Sequence, residues 1–253
     1  MILSDSTFPN KYDFLKELIV PYSTDFTKKR YGNNWDGGYI YLKELFDESS
    51  IVYSYGIDDN PSAIYFDIHC ANEGKKVYMY DGTIEGCPVN NQNFFFKKEN
   101  LYKGVLENQI KENSHDKETN MVLKMDIEGS EYEVINSDIE LISKHFNQMN
   151  IEVHSLIEED SDNSGLDELS CAIKKDNKIK KVFFEKLLEY YNIVHIHANN
   201  YTPRYGDFPE TMELTLLRKN YSFNGIDKTK FPIKGLDFPN NPNEQDYDLD
   251  WWI

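Results

Sequence analysis

From residue 51 onward, strand-like runs alternate with helix-like segments, and this alternation restricts the possible folds more than any single motif. "IVYSYGI" (51–57) is apolar and strand-like, and "PSAIYFDIHCANEG" (61–74) has helical spacing closed by Gly74. "KKVYMYDGT" (75–83) and "NFFFKK" (93–98) read as further strands, separated from the strand "NMVLKMDI" (120–127) by the helical "LYKGVLENQIKEN" (101–113). The pattern continues with a helix in "EYEVINSDIELISKHF" (131–146), a strand in "QMNIEVH" (148–154) and a helix in "VFFEKLLEYY" (182–191). "NIVHIHANN" (192–200) is a strand with its loop, and "TMELTLLRK" (211–219) a last strand. Such alternation predicts right-handed crossovers and a mostly parallel sheet with helices on both faces, an α/β fold.

Upstream, "KYDFLKELIV" (11–20) predicts a short amphipathic helix, and "RYGNNWDGGYIYL" (30–42) a glycine turn entering a strand. The polar "EEDSDNSG" (158–165) reads as a surface loop. No repeat or boundary divides the chain. The expectation is one domain over 1–253: an N-terminal helical segment (1–29), a core (30–219) and an irregular tail (220–253).

A net charge of −17, from 44 acidic and 27 basic residues, argues against broad binding to a phosphate backbone, so no nucleic-acid partner is expected. A compact ligand held by a few local groups remains compatible with it. No apolar run approaches the ~20 residues needed to span a bilayer. The first residues lack the basic-then-apolar pattern of a signal peptide. Cys70, Cys87 and Cys171 lack metal-ligand spacing and fit reduced thiols. A cytoplasmic location is expected; oligomeric state is not legible.

Ligands of open parallel sheets bind outside the carboxyl ends of the strands, so the polar residues ending each strand carry the information. The first strand ends at Gly56, which permits close backbone approach, followed by Asp58 and Asn60. The second ends at Asp81, at roughly the ~20-residue offset at which an acid meets the two hydroxyls of a ribose. In "LKMDIEGSEYEVI" (123–135), Asp126 and Glu128 follow the next strand, and Glu152 and His154 end the one after it. If those strands are neighbours, the cluster can bind a hard divalent cation, hold a sugar through its hydroxyls, or supply a general base. His197 and Asn199 follow at another strand end, and Glu213 lies among apolar residues, where a carboxylate needs a partner.

"LKMDIEGSEYEVI" closely resembles the signature segment of the FkbM-type methyltransferases, which use S-adenosylmethionine. The likeness extends in order through "NNWDGGYI", "VYSYGI", "VYMYDGT", "NIEVH", "HIHANN" and "TMELTLL", over roughly residues 30–219. It implies a class I methyltransferase (Rossmann-like) sheet of seven strands with an antiparallel last strand. "GIDDNPS" departs from the family by being sparse in glycine.

The activity implied is S-adenosylmethionine-dependent O-methylation of a sugar or nucleotide-linked sugar, in surface-polysaccharide assembly. Cofactor contacts are then expected from Gly37, Gly38, Gly56, Asp58, Asp81 and Asp126. Catalysis falls to His154 as base with Asp126 and Glu152, and the same three are the expected ligands of any divalent metal, magnesium or manganese. Glu128, His197, Asn199, Arg204 and Glu213 are the expected substrate contacts. A nicotinamide-dependent oxidoreductase, or a noncatalytic ligand-binding protein on the same fold, are the alternatives. The missing GxGxxG counts against the first, and intact acids at several strand ends against the second.

Overall fold

The computed structural model describes residues 11–157, 173 and 176–253. Cys171 and the 158–165 loop lie outside the described residues. Before the main sheet come α1 (Asp13–Leu18), a hairpin of β1 (Lys28–Gly32) and β2 (Gly38–Leu42), and α2 (Lys43–Glu48). The alternating region follows as β3 (Ile51–Tyr55), α3 (Tyr65–Asn72), β4 (Lys76–Tyr80), β5 (Phe94–Lys97), α4 (Val105–Glu112) and β6 (Met121–Met125). It continues through α5 (Glu131–His145), β7 (Phe146–Val153), α6 (Asn177–Tyr190) and β8 (Tyr191–Ala198). A two-residue ribbon, β9 (Arg204–Tyr205) with β10 (Phe208–Pro209), precedes β11 (Met212–Arg218).

Seven strands form one sheet in the order β5-β4-β3-β6-β7-β11-β8. β3, β4, β5, β6 and β7 pair in parallel, and β11 runs antiparallel between β7 and β8. Both the expected α/β architecture and its antiparallel last strand are present. The expected glycine turn is the turn of the β1–β2 hairpin, and α2 is a short helix that the sequence pattern did not indicate.

The two faces of the sheet differ because polar and apolar residues alternate along its central strands. In β7, Met149, Ile151 and Val153 point to one face and join α4, α5 and α6 in the larger apolar core. Gln148, Asn150 and Glu152 point to the other. There, cross-strand partners continue the polarity: Lys124, Asn150, Thr215 and His195 share one register row, and Glu152, Glu213 and His197 the next. These residues are all buried, so each needs a hydrogen-bond partner.

The covering of that face is mostly backbone and loop. Gln148 accepts from Leu42 N at 2.8 Å and donates to Leu42 O at 3.2 Å, and Thr215 Oγ1 donates to Ile40 O at 2.7 Å. The hairpin thus docks on the sheet through its own peptide groups. The apolar part of the same face, around Val52, Val77 and Val122, lies under α3 and the hairpin tyrosines. After β11 the tail forms turns and isolated bridges, and Trp251 Nε1 ties it to Ile19 O at 3.0 Å.

Candidate active site

At the carboxyl ends of β3, β4 and β6 a cleft of about 570 Å³ opens. Its walls come from Asp36 and Gly37 of the hairpin turn, Gly56 and Asp58 after β3, Asp81 after β4, and Lys124, Asp126 and Glu128 around the end of β6. Gly56 has φ +72°, and a Cβ there would lie 1.4 Å from Asp126 O, so only glycine lets the two strand ends meet. Gly37 also has positive φ and lines the cleft, whereas Gly38 is packed inside the hairpin, where a Cβ would strike Asn33 O at 2.0 Å.

Asp81 turns one oxygen inward, accepting from Thr83 N at 2.6 Å and Thr83 Oγ1 at 2.5 Å. Its other oxygen has no hydrogen bond among the described residues, leaving it available to a ligand in the cleft. Asp58 accepts from Asn60 N at 2.7 Å, an Asx turn that shapes the loop after β3. Lys124 is buried, and its ammonium donates to Tyr55 O at 3.0 Å and Gly56 O at 2.6 Å and lies 3.4 Å from Asp126 Oδ2. It ties the glycine turn to the acidic end of β6.

Beside the cleft, the β6–α5 turn is closed by Glu131. Its carboxylate, fully buried, accepts from Ile127 N at 2.9 Å and from Gly129 N at 2.7 Å, and it meets His154 Nδ1 at 3.1 Å. This holds Glu128 at φ +55° and directs His154 Nε2 toward three other acids. That nitrogen lies 3.5 Å from Glu128, 3.8 Å from Asp126 and 4.0 Å from Glu152. Glu152 is fixed in turn by Asn199, whose Nδ2 donates to it at 2.8 Å.

Burial works against a charged His154, but the contact with Glu131 and the charges of Glu152 and Asp126 outweigh it and hold its pKa well above the usual range. Burial, then the neighbouring Asp126, push the Glu152 carboxyl well above the ordinary value, while His154 acts in the opposite sense. Both shifts run in the same direction, favouring the protonated forms of His154 and Glu152.

Asp126, Glu128, Glu152 and His154 thus converge as the sequence suggested. Asp126, Glu131 and His154 each offer a ligand atom within 4.8 Å of the others. Glu131, absent from the expected site, is what orients the histidine; its place in the DIEGSE segment was the available signal.

His197 and Glu213 do not open onto the cleft. They lie in the buried row beyond Glu152, 3.5 Å apart, with His197 Nε2 also 3.0 Å from Asp246 of the tail. Burial opposes the His197 charge, yet the hydrogen bond to Asp246 and the nearby Glu213 carboxylate push its pKa up to about 10. Arg204 is exposed in β9 and stacks over the Tyr247 ring at 4.9 Å, in a second groove of about 570 Å³ between residues 200–204 and 244–248.

Among the described residues no helix is long and apolar enough to cross a membrane. Cys70 and Cys87 are free thiols. No curated protein matches the chain in sequence. Among solved structures, the fibrillarin pre-rRNA processing protein of Methanococcus jannaschii is similar at a TM-score of 0.45 and 12% identity, over 69% of each chain. Residues 97–222 match the family model described as the methyltransferase FkbM domain, a span that runs from the end of β5 past β11 and holds the DIEGSE turn, Glu152 and His154. Residues 97–222 of the chain thus belong to the methyltransferase FkbM domain family.

Proposed function

We propose that the protein is an S-adenosylmethionine-dependent O-methyltransferase acting on a hydroxyl of a sugar or nucleotide-linked sugar, in surface-polysaccharide assembly. The observation that carries this reading is the meeting of Gly56, Asp81 and Asp126 in one cleft, with His154 and Glu152 beside Asp126. Asp81 has an oxygen for the ribose hydroxyls, and the close Gly56 turn admits the cofactor's backbone-hugging portion. The whole chain acts as one catalytic unit.

Methyl transfer to oxygen depends on alignment and on removing the acceptor proton. His154 is the proton acceptor in this reading: Glu131 pins Nδ1, so Nε2 is turned toward Asp126 and Glu128, which line the cleft. Because its carboxylate neighbours favour the protonated form, His154 becomes a competent base only when that proton is lost. In the alternative arrangement His154 Nε2 is a ligand and not the base: with oxygen atoms of Asp126 and Glu152 it forms a donor set that suits a divalent cation such as magnesium or manganese. A Nδ1–carboxylate bond of the kind His154 makes is what commonly orients a metal-binding histidine. When bound, such an ion would lower the pKa of the acceptor hydroxyl.

The test begins with calorimetry of S-adenosylhomocysteine binding. Asp81→Ala should weaken it by about 1.5–3 kcal/mol, the range for hydrogen bonds to a charged group; unchanged affinity would remove Asp81 from the cofactor site. Labelled S-adenosylmethionine is then offered with a panel of free and nucleotide-linked sugars, with and without chelator. His154→Asn should cut turnover by ~10²–10⁴-fold while cofactor affinity stays near the wild-type value. Full activity in that variant would end the assignment of His154, and full activity with chelator the assignment of the metal.

A further inference from the structure

The family domain ends at residue 222, yet side chains from beyond it reach the buried polar rows. Asp237 meets His195 at 2.8 Å and Asp246 meets His197 at 3.0 Å. Asn241 N donates to Asn200 Oδ1 at 2.7 Å, and Asn200 Nδ2 returns a bond to Asn241 O at 3.1 Å. These contacts anchor the tail. One further residue, Asn240, goes past anchoring and touches the wall of the cleft.

Asn240 is 1% exposed. Its amide nitrogen donates to Glu213 Oε1 at 2.8 Å and lies 3.5 Å from Asp36 Oδ1. That same Asp36 oxygen accepts from Gly37 N at 2.9 Å, and Asp36 and Gly37 both line the cleft. An amide NH₂ has two hydrogens, one for each carboxylate. It therefore stands between two carboxylates, the buried Glu213 and the exposed Asp36.

The hairpin turn is also held by Arg30, whose guanidinium lies over the Phe238 ring of the tail at 5.6 Å. The Nε of Arg30 donates to Asn33 O at 2.5 Å, and its Nη2 to Trp35 O at 2.8 Å. Asn240 supplies the hold that Arg30 does not, on the carboxylate itself. The amide also carries a cost: its Oδ1 is buried and has no hydrogen-bond partner among the described residues. A residue present only to fill space would avoid an unmet buried acceptor.

We propose that Asn240 is a positioning residue of the methyl-transfer site, holding Asp36 and Gly37 in place for bound S-adenosylmethionine. This rests on the reading that the cleft takes that cofactor. The tail then completes the cofactor wall from outside the family domain.

The experiment is a double-mutant cycle in the full chain, read as the Kd of S-adenosylhomocysteine by calorimetry. Asn240→Ala should weaken binding by about 3–10-fold, the equivalent of one hydrogen bond. The combination with Asp36→Ala should bind no more weakly than Asp36→Ala alone, because both variants break the same contact. Asn240→Asp keeps the shape but replaces the donor by a third carboxylate, and should weaken binding at least as much; it carries the test should Asn240→Ala fail to fold. Unchanged affinity in the Asn240 variants, or losses that simply add in the double variant, would overturn the proposal. An absence of binding by the wild type would instead overturn the cofactor reading, and the proposal with it.

Discussion

His197 is the residue whose charge most clearly depends on the fold. It is buried between Glu213 and Asp246, and burial alone would make it neutral, but those two carboxylates push its pKa from 6.5 up to about 10. A histidine with a raised folded-state pKa contributes stability in full below the unfolded value, and that contribution is lost as pH rises through the folded value. The window here runs from 6.5 to about 10. Urea midpoints of the wild type should therefore decline across it, and His197→Gln should be less stable at pH 6 with the gap narrowing toward pH 10. Parallel curves for the two proteins would show that His197 does not titrate as the ion pairs require. The residue was legible as polar and strand-terminal, but its partner Asp246 lies in a segment without periodicity.

The β6–α5 turn shows how one element builds the site. Acids in the first turn of α5 suit the positive end of a helix, so Glu131 and Glu133 look like ordinary helix-starting residues. Ser130 makes no side-chain cap, and Glu131 folds back to bind the turn's own peptide groups and His154. Glu131→Gln keeps the size but turns one acceptor into a donor facing peptide N–H groups. It should destabilise the protein by about 1–3 kcal/mol in urea unfolding, the cost of an unsatisfied buried group. It should also lower turnover more than cofactor affinity, because His154 loses its orienter while the Asp81 side of the cleft is untouched. A variant as stable and active as the wild type would mean that Glu131 only decorates the helix start.

For the whole molecule, the main question is what covers the polar face of the sheet. On the opposite face, helices α4, α5 and α6 bury apolar side chains, and their loss of water contact stabilises the fold directly. On the polar face, the hairpin and tail satisfy buried hydrogen bonds, so removing them leaves charged groups unpaired. Truncation after residue 236 strips His195, His197 and Glu213 of Asp237, Asp246 and Asn240 together. Breaking one buried ion pair costs roughly 3–5 kcal/mol. At about 2–4 °C per kcal/mol for a chain of this size, the melting temperature should fall by more than ~10 °C, or the chain should not fold. A truncated protein melting within ~2 °C of the full chain would show that the tail is dispensable.

The sequence by itself determined the alternation of strands and helices along the chain and the mostly parallel sheet; the antiparallel last strand was implied only by the family resemblance. Short β-branched and aromatic runs alternating with helical spacing leave few arrangements besides a parallel sheet with crossovers, and strand-ending Gly56, Asp81 and Asp126 mark its ligand edge. It also displayed the even-numbered polar residues of β7, because a strand's period of two separates the faces without any tertiary information. The tertiary structure alone decided which partners those polar residues found. Whether Glu213 faces a ligand or a histidine, whether Glu131 caps a helix or orients His154, and whether Asn240 touches the cleft depend on contacts between residues far apart in the chain. Local pattern records only that a polar side chain is buried on one face; the group that pays its desolvation is chosen when distant segments pack against it.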